Sequence, residues 1–442
     1  MVTPKTPILY IQGLGEISAS PATKIGTMSL DASVAAELPI AEERAGSPID
    51  RRARIADIDV IRGVALFGVL MCNLAFCFRT PLMAHGGPRY DTGLDHWVAN
   101  FEGVFLSDKA MTLFSTLFGA GLTIFYERAS ARGSGAMGLL TRRLCFLMLF
   151  GFLHMFLLWN GDILVDYATA GLCALAFMKR RAWVLWVGIV FLTLFPLLGE
   201  LLPALKDAVN GLDAAKHYEE AIPIYGHGSY LEIVRYRFHE AAVYMWRAYI
   251  FYWPGTMRNM LVGMLVWRSG LLRAPLAHAR ALKWTTLVGI VLGLAYPVTR
   301  TIYYEMTHRS LIPRESVWRH VLGETSAPLL ALGYAAGVLL LLHGGSVWRR
   351  FFGALAPVGR MAFTNYLTQS IVFSTVFYGY GLGLVGQVGF TVPAIMGISF
   401  YSLQCVVSTF WLRRFGFGPF EWVWHCLTYG RWQAMRLATA SS

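Results

Sequence analysis

The chain has 442 residues, of which 56% are hydrophobic and only 14% are charged. Soluble domains carry about 25% charged residues, so lipid rather than water must be the solvent for much of this chain. Its six cysteines are scattered, which excludes a disulfide-stapled secreted module and predicts no metal site. The net charge of +12 is typical of basic cytoplasmic loops that face anionic lipid. We therefore expect no nucleic-acid partner.

The first 54 residues differ from the rest of the chain. They are rich in Ala, Ser, Pro and Glu and contain no long apolar run. The segment PILYIQGLG is too short and too interrupted to be the core of a signal peptide. We predict a disordered N-terminal tail over residues 1–54, within which Met28 is an alternative start to Met1.

Ten apolar segments follow, most of them near the ~20 residues that cross a bilayer. They cover residues 57–78, 110–127, 144–159, 163–178, 183–203, 247–267, 284–303, 326–343, 354–378 and 387–411. They predict an all-α polytopic membrane bundle of about ten transmembrane helices over residues 55–411. Residues 412–442 are predicted to form a cytoplasmic interfacial helix and tail.

The placement of Lys and Arg predicts the orientation of the bundle. With the N-terminus in the cytoplasm, every inside loop is basic, and the outside loops hold most of the acidic residues. This distribution follows the positive-inside rule. An even number of spans then puts both termini in the cytoplasm, and residues 204–246 outside, where 229–246 has the helical apolar spacing of an interfacial helix.

The first segment carries three polar residues where lipid is expected: Asp59, Arg62 and Asn73. At about 100° per residue they project from one side of the helix. Because Arg62 is near the cytoplasmic end, it can snorkel towards water with Asp59 as its ion-pair partner. The alternative is that Arg62 lies at the mouth of a cavity and grips a phosphate or carboxylate, which Asn73 on the same stripe favours.

The third and fourth segments are joined only by Asn160, Gly161 and Asp162, which predicts a tight antiparallel helical hairpin. His154 on one helix and Asp166 on the other then lie at similar depth. A buried His beside a carboxylate is the arrangement of a general base. We predict a hydrogen bond from His154 to Asp166, or failing that to Asp162, beside a cavity open to the cytoplasm. The alternative is a His that bonds a backbone carbonyl purely as packing.

Two further polar groups interrupt the apolar segments. Arg360, Asn365 and Gln369 lie in GRMAFTNYLTQS, where the two amides are neighbours on one helix face. They either contribute to a binding site or join helices through hydrogen bonds worth about 1 kcal/mol. Arg258 in the sixth segment is too far from either end to snorkel easily, so it needs an internal partner.

Five motifs, in this order, resemble the bacterial YeiB-like family over residues 55 to about 435. They are DIDVIRGVALFGVLMCN, DKAMTLFSTLFGAGL, GFLHMFLLWNGDILVDYATAG, GRMAFTNYLTQS and GPFEWVWHCLTYG. The family is similar to the membrane acyltransferases that take an acyl group from coenzyme A and pass it to a sugar or glycan beyond the membrane. The C-terminal motif usually ends in Arg where this chain has His425.

The resemblance also implies roles for individual residues. Arg62 and Asn73 fall on the motif positions of the first span, and Lys109 opens the second. The similar O-antigen acetylases carry a His at the position of Asn73, so the base of this chain must come from elsewhere. His154 is the best match within the YeiB-like motif, and His96 in the first outer loop is the second choice.

These observations lead to one preferred functional hypothesis, a transmembrane acyltransferase in the bacterial inner membrane. Acyl-CoA is the expected donor, and its phosphates would meet Arg62, Arg142 and Arg143 on the cytoplasmic side. Asn73 and Arg258 would line the path of the acyl group and stabilise the oxyanion.

A transporter that uses the same buried polar residues as a proton relay is the first alternative. A structural membrane protein whose polar clusters only join helices is the second. The expected partners are the lipid bilayer, a glycan or lipid acceptor and a second copy of the chain as a homodimer.

The orientation can be tested with two single-cysteine variants, Ser134→Cys and Ser229→Cys, in a background that lacks the six native cysteines. Because position 134 is predicted inside and position 229 outside, a membrane-impermeant thiol reagent added to intact cells should label only the second variant. Both should react after the membrane is permeabilised, which controls for accessibility. Labelling of position 134 from outside would contradict the predicted topology.

Overall fold

The structure is a computed structural model that describes residues 56–79, 93–133, 135–201, 214–312 and 317–437. Within these ranges the chain is helical and contains no β-strand beyond one isolated bridge between Phe415 and Arg436. The predicted all-α class is therefore confirmed. The predicted N-terminal tail and its alternative start lie outside the described residues.

The structure describes six helices in the first half of the chain. They are α1 (Ala56–Asn73), α2 (Gly93–Phe101), α3 (Lys109–Ala131), α4 (Ala136–Leu153), α5 (Leu164–Ala174) and α6 (Ala182–Leu201). Three of them continue into a π-helical turn: α1 over Leu74–Phe78, α2 over Glu102–Leu106 and α4 over His154–Leu158.

The second half of the described chain begins with two helices, α7 (Ala214–His227) and α8 (Tyr230–Glu240), which precede the long α9 (Trp246–Arg268). The remaining helices are α10 (Ala279–Thr307), α11 (Val317–Gly344), α12 (Ser346–Gly353), α13 (Ala356–Arg360), α14 (Ala362–Phe377), α15 (Thr391–Arg414) and α16 (Pro419–Tyr429). Helix α8 begins with a capping box, in which Ser229 and Glu232 each bond the other's backbone.

Within the described residues, five helical stretches are long and apolar enough to cross a membrane. They are Ala56–Phe78, Ala136–Leu158, Pro275–Thr307, Val321–Gly344 and Thr391–Arg414, and two shorter apolar helices cover Leu164–Phe177 and Ala182–Phe195. Each of the ten apolar segments picked out in the sequence overlaps a helix within the described residues, and the last of them enters its helix only at Thr391. The number of ten spans and the location of the termini stay predictions.

One boundary differs from the sequence-based expectation. The third segment was expected to begin at residue 144 after a basic loop, but α4 begins at Ala136 and includes Arg142 and Arg143. The guanidinium of Arg143 lies over the Trp424 ring of α16. That contact gives the guanidinium of Arg143 an aromatic partner, so the helix can continue through the arginine pair.

Helix α1 is the centre of the bundle. In the most apolar 18-residue stretch of Ala56–Phe78, 67% of the residues are buried in the bundle, against 22% in the corresponding stretches of Pro275–Thr307 and Thr391–Arg414. Helix α1 packs against α3, α13, α14 and α15. Large apolar side chains remain exposed on α6 and α10, among them Trp183, Trp186, Val190, Leu287 and Val291. Exposed apolar faces of this kind suit contact with lipid.

Helices α3 and α9 approach each other closely at two glycines. A Cβ atom at Gly119 would collide with the Met260 carbonyl, and one at Gly263 would collide with the Thr116 carbonyl. Small residues that let two backbones touch are a common packing device of membrane helices. The contact holds α9, which carries two polar partners of the candidate site, against the bundle.

The variant Gly263→Ala should therefore lower the free energy of unfolding by about 1–3 kcal/mol, because the added methyl group forces the two backbones apart. Gly138→Ala is the matched control, since a Cβ at Gly138 meets nothing within 4 Å. Thermal unfolding of the detergent-purified protein would measure both. Equal melting temperatures for the two variants would contradict the packing argument.

Candidate functional site

The hairpin between α4 and α5 brings a histidine and an aspartate into direct contact. After the π-helical turn the chain becomes extended at Trp159 and returns into α5 at Leu164. His154 Nδ1 lies 2.8 Å from Asp162 Oδ1, and the two side chains are only 1% and 0% exposed. The hydrogen bond therefore forms in a setting from which water is excluded.

Asp162 is held in place from both sides. Its Oδ2 accepts a hydrogen bond of 2.8 Å from the Val165 backbone N–H at the start of α5. Its backbone carbonyl accepts one of 3.3 Å from the Tyr249 hydroxyl of α9. A carboxylate at a helix N-terminus is stabilised by the unpaired N–H groups and the helix dipole. Both oxygens of Asp162 are therefore engaged, one by the start of α5 and the other by the imidazole.

Asp166, which the sequence placed first as the partner of His154, makes a different bond. Its Oδ2 accepts a hydrogen bond of 2.5 Å from the Thr256 hydroxyl of α9. The expectation of an Asp166 partner was wrong because it assumed an ideal α-helix up to Trp159. The π-helical turn and the extended tip turn the side chain of Asp162, rather than that of Asp166, towards His154.

The second nitrogen of the imidazole is left available. His154 Nε2 is buried and makes no hydrogen bond within the described part of the chain. The imidazole centroid lies 5.1 Å from the Tyr366 ring of α14 and 6.1 Å from the Trp159 ring. With Nδ1–H donating to Asp162, Nε2 carries a lone pair and can accept a proton. The predicted cavity beside it stays a prediction.

A pair of basic residues lies about halfway along α4. The Arg143 guanidinium carbon is 3.5 Å from the centroid of the Trp424 ring, and the Trp424 indole N–H donates 2.9 Å to the Arg143 carbonyl. Arg142 is exposed and its Nη1 is 3.1 Å from where a Cβ of Gly430 would be. Arg143 and His154 are eleven residues apart, so they lie about 16 Å apart along the helix.

Arg62 lies on α1 with Asp59 as its ion-pair partner at 3.1 Å, as the snorkelling interpretation expects. Its side chain is 28% exposed, whereas that of Asp59 is 6% exposed. The pair lies against α3, because Arg62 Nη2 is 3.3 Å from the position of a Cβ of Gly121. The Arg62 guanidinium therefore lies at the partly exposed surface of the bundle, between α1 and α3.

The C-terminal helix α16 is tied to the start of α14 by one carboxylate. Glu421 accepts hydrogen bonds from the backbone N–H groups of Phe363 and Thr364, at 2.8 and 3.0 Å, and from the Thr364 hydroxyl. Burial raises the pKa of Glu421 above its ordinary value, while these hydrogen bonds lower it. Helix α16 is therefore a docked part of the bundle that holds Trp424 over Arg143.

The polar residues of α14 join helices. Asn365 Nδ2 donates to the Ser408 hydroxyl of α15 at 3.0 Å and to the Val358 carbonyl at 3.2 Å. Gln369 Nε2 donates to Gln404 Oε1 of α15 at 2.8 Å. These contacts match the interhelical alternative and do not bring the two amides to His154.

The remaining predicted site residues are distributed along the bundle. Arg258 forms an ion pair of 2.7 Å with Glu324 of α11, which supplies its internal partner. Lys109 Nζ donates 2.8 Å to the Gly103 carbonyl, and Arg360 Nη2 donates 3.1 Å to the Gly416 carbonyl. Asn73 ends α1 with a buried Oδ1 that has no hydrogen-bond partner among the described residues.

The structure adds a polar cluster that the sequence analysis missed. Glu240 of α8 accepts hydrogen bonds from Asn160 Nδ2 at 2.7 Å and from the Tyr225 hydroxyl, and its Oε1 is 3.1 Å from His217 Nε2. Arg237, one turn earlier on α8, is fully buried. The signal was present in the sequence, because both residues share the apolar face of α8 with Ile233.

Comparison with known proteins gives a family without an assigned activity. Residues 266–431 match a family model described as Protein of unknown function (DUF418). The chain is 35% identical over 406 residues to Uncharacterized protein YxaH of Bacillus subtilis (strain 168), a match that covers 87% of this chain and 97% of that protein. It is 29% identical over 402 residues to Uncharacterized protein YeiB of Escherichia coli (strain K12), covering 85% and 96%.

No solved structure matches the chain. Each match covers nearly the whole length of the relative, 97% of YxaH and 96% of YeiB. This chain belongs to the YeiB-like, DUF418-containing family of proteins of unknown function.

Proposed function

We propose that the chain is a membrane-embedded acyltransferase of the bacterial inner membrane. It moves an acyl group from cytoplasmic acyl-CoA to a hydroxyl group of a sugar, glycan or lipid on the other side, within a bundle of ten spans whose termini are both cytoplasmic. The observation that carries this proposal is the buried pair of His154 and Asp162, 2.8 Å apart, with Nε2 left without a partner in the described structure.

The chemistry assigns a distinct task to each member of the pair. Asp162 accepts the Nδ1–H, which fixes the tautomer and leaves Nε2 as the base. Nε2 takes the proton of the acceptor hydroxyl while the oxygen of that hydroxyl attacks the thioester carbonyl. As the new C–O bond forms and the C–S bond breaks, the imidazolium returns that proton to the CoA sulfur. Burial of both side chains keeps water from competing as the nucleophile.

The arginines on the cytoplasmic side supply the donor end of the site. Arg62, Arg142 and Arg143 carry fixed positive charge, and Arg143 Nη1 is buried without a hydrogen-bond partner among the described residues. Guanidinium groups bind phosphates through paired N–H donors. The CoA phosphates would remain there while its extended arm carries the thioester about 16 Å along α4 to His154.

Transport is the second candidate, and one observation favours it. The buried titratable side chains of His154, Asp162, Asp166 and Glu240 all lie around one hairpin, as in a proton relay. A relay needs proton transfer but no covalent step. Transfer of radiolabel from acyl-CoA into a product therefore distinguishes the two functions.

The catalytic pair can be tested by substitution in inverted membrane vesicles that receive radiolabelled acetyl-CoA. His154→Gln should lower incorporation of label into the sugar and lipid fractions by about 100-fold or more, because the base is lost. Asp162→Asn should also lower it, since an amide no longer holds the same tautomer. His278→Gln, on the connection before α10, is the matched control and should retain activity.

His96, the second choice for the base, provides a comparison variant for this test. His96 Nε2 lies 2.9 Å from Glu305 in a partly exposed ion pair. If His96→Gln abolished label transfer and His154→Gln did not, the base would be His96. Full activity in both variants, at unchanged expression, would remove histidine catalysis from the proposal.

The donor end is tested by the change from Arg to Lys, which keeps the charge but removes the planar fork. Arg62→Lys and Arg143→Lys should each raise the KM for acetyl-CoA about tenfold, with a smaller effect on kcat. Arg280→Lys, at an exposed position of α10, should leave both constants unchanged. Unchanged kinetics in Arg62→Lys would mean that Arg62 only snorkels beside Asp59.

A further inference from the structure

Arg237 of α8 is a buried charge with an unusual set of neighbours. Its side chain is 0% exposed. Its Nη1 donates 3.3 Å to the Phe156 carbonyl, and the guanidinium carbon is 5.4 Å from the centroid of the Tyr378 ring. No carboxylate oxygen within the described ranges forms an ion pair with it. A guanidinium removed from water normally needs such a partner.

The donors that remain unused point to the kind of ligand. Arg237 Nε and Nη2 are buried and make no hydrogen bond of good geometry with a described residue, although the Tyr380 side chain lies near enough to interact with the guanidinium. These two N–H groups lie on the same edge of the planar guanidinium, which is an edge that binds a carboxylate or a phosphate with two parallel hydrogen bonds. The edge is therefore free for an oxyanion and is already shielded from water.

Glu240 is the carboxylate nearest to Arg237 along α8, but it is engaged elsewhere. Its Oε2 accepts from Asn160 and from Tyr225, and its Oε1 faces His217. Residues three apart on a helix are neighbours and normally pair when they carry opposite charges. Here the hairpin tip holds Glu240 through Asn160, which keeps the carboxylate away from the Arg237 edge.

We propose that Arg237 forms a binding site for the oxyanion of a ligand at the end of the bundle that carries the α4–α5 hairpin. The ligand class is a molecule with a carboxylate or phosphate group, which docks side-on to Nε and Nη2. Arg237 contacts the carbonyl of Phe156, two residues after His154. The rest of the ligand would therefore lie beside the hairpin that carries the His154–Asp162 pair.

The Arg237 site also restricts the chemical class of the acceptor. This step rests on the proposed function: if acyl transfer occurs at His154, the molecule anchored by Arg237 is the acceptor, and it is anionic. An acidic sugar, a phosphorylated glycan and an anionic lipid headgroup all share this chemistry, whereas a neutral sugar does not. The oxyanion site itself does not depend on acyl transfer.

The site can be tested by thermal unfolding of the purified protein in a non-ionic detergent. Sodium phosphate and sodium acetate are titrated against sodium chloride at equal ionic strength. In a parallel arm, nanodiscs of phosphatidylglycerol are compared with nanodiscs of phosphatidylcholine. We expect a saturable rise in the melting temperature of the wild type with a soluble oxyanion or with the anionic lipid, and the effective probe identifies the source.

Variants of Arg237 separate a binding role from a structural one. Arg237→Met keeps the volume and removes the charge, so it should unfold at or above the wild-type temperature without oxyanion and should not respond to it. Arg237→Lys keeps the charge but loses the two-donor edge, so its apparent Kd should rise at least about tenfold. Arg235→Met is the matched control, since Arg235 is exposed on the same helix, and should respond like the wild type.

Two results would overturn the proposal. The first is a wild type that no oxyanion and no anionic lipid stabilises beyond chloride or phosphatidylcholine. The second is an Arg237→Met variant that is destabilised without ligand, or that responds to phosphate as the wild type does, because Arg237 would then only support the fold. Loss of acyl transfer in other variants leaves these measurements unaffected, so the two proposals can fail separately.

Discussion

The hydrogen bond between His154 and Asp162 depends on how the chain turns between α4 and α5. The π-helical turn His154–Leu158 ends the helix that begins with α4, and the chain becomes extended at Trp159. The Trp159 ring stacks on Phe78, in the π-helical turn after α1, with ring centroids 4.3 Å apart. A Cβ at Gly161 would collide with the Trp159 ring, so the tip can be this tight only with glycine. The Asp162 carboxylate accepts a hydrogen bond from the Val165 N–H at the start of α5 and also bonds His154. The fold of the hairpin therefore fixes the orientation of the imidazole.

The polar groups of the proposed site are arranged at different depths. Arg143 lies about halfway along α4 under Trp424, the His154 pair lies about 16 Å further along, and Arg237 contacts the backbone just beyond it. Two arginines therefore lie on either side of the His154 imidazole. Arg143 would hold the phosphates of the donor, and Arg237 would hold the anionic group of the acceptor. The thioester carbonyl and the acceptor hydroxyl would then meet at His154, away from both charged anchors.

The sequence predicted the helical segments well because a long apolar run has few alternatives in lipid. It also predicted the hairpin, because a connection of only three residues forces two consecutive helices to be antiparallel neighbours. It could not distinguish Asp162 from Asp166, because one π-helical turn changes which side chain faces back. It also missed Arg237 and Glu240, since the apolar spacing of residues 229–246 was expected to place this helix along the outer interface. Only tertiary contacts with Asn160 and Phe156 show that both charged residues are buried.

Buried polar groups in this bundle fall into two kinds, and the difference separates structural roles from functional ones. Arg258 is paired with Glu324, and the amide nitrogen of Gln369 donates to Gln404, so these groups have partners within the protein. Such pairs can be structural, because each partner offsets the desolvation of the other. His154 Nε2 and the Nε and Nη2 of Arg237 have no such partner in the described chain. A buried polar atom without a partner is costly unless something else occupies its hydrogen bonds, and around this hairpin the missing partners are best supplied by a hydroxyl group for the histidine and an oxyanion for the arginine.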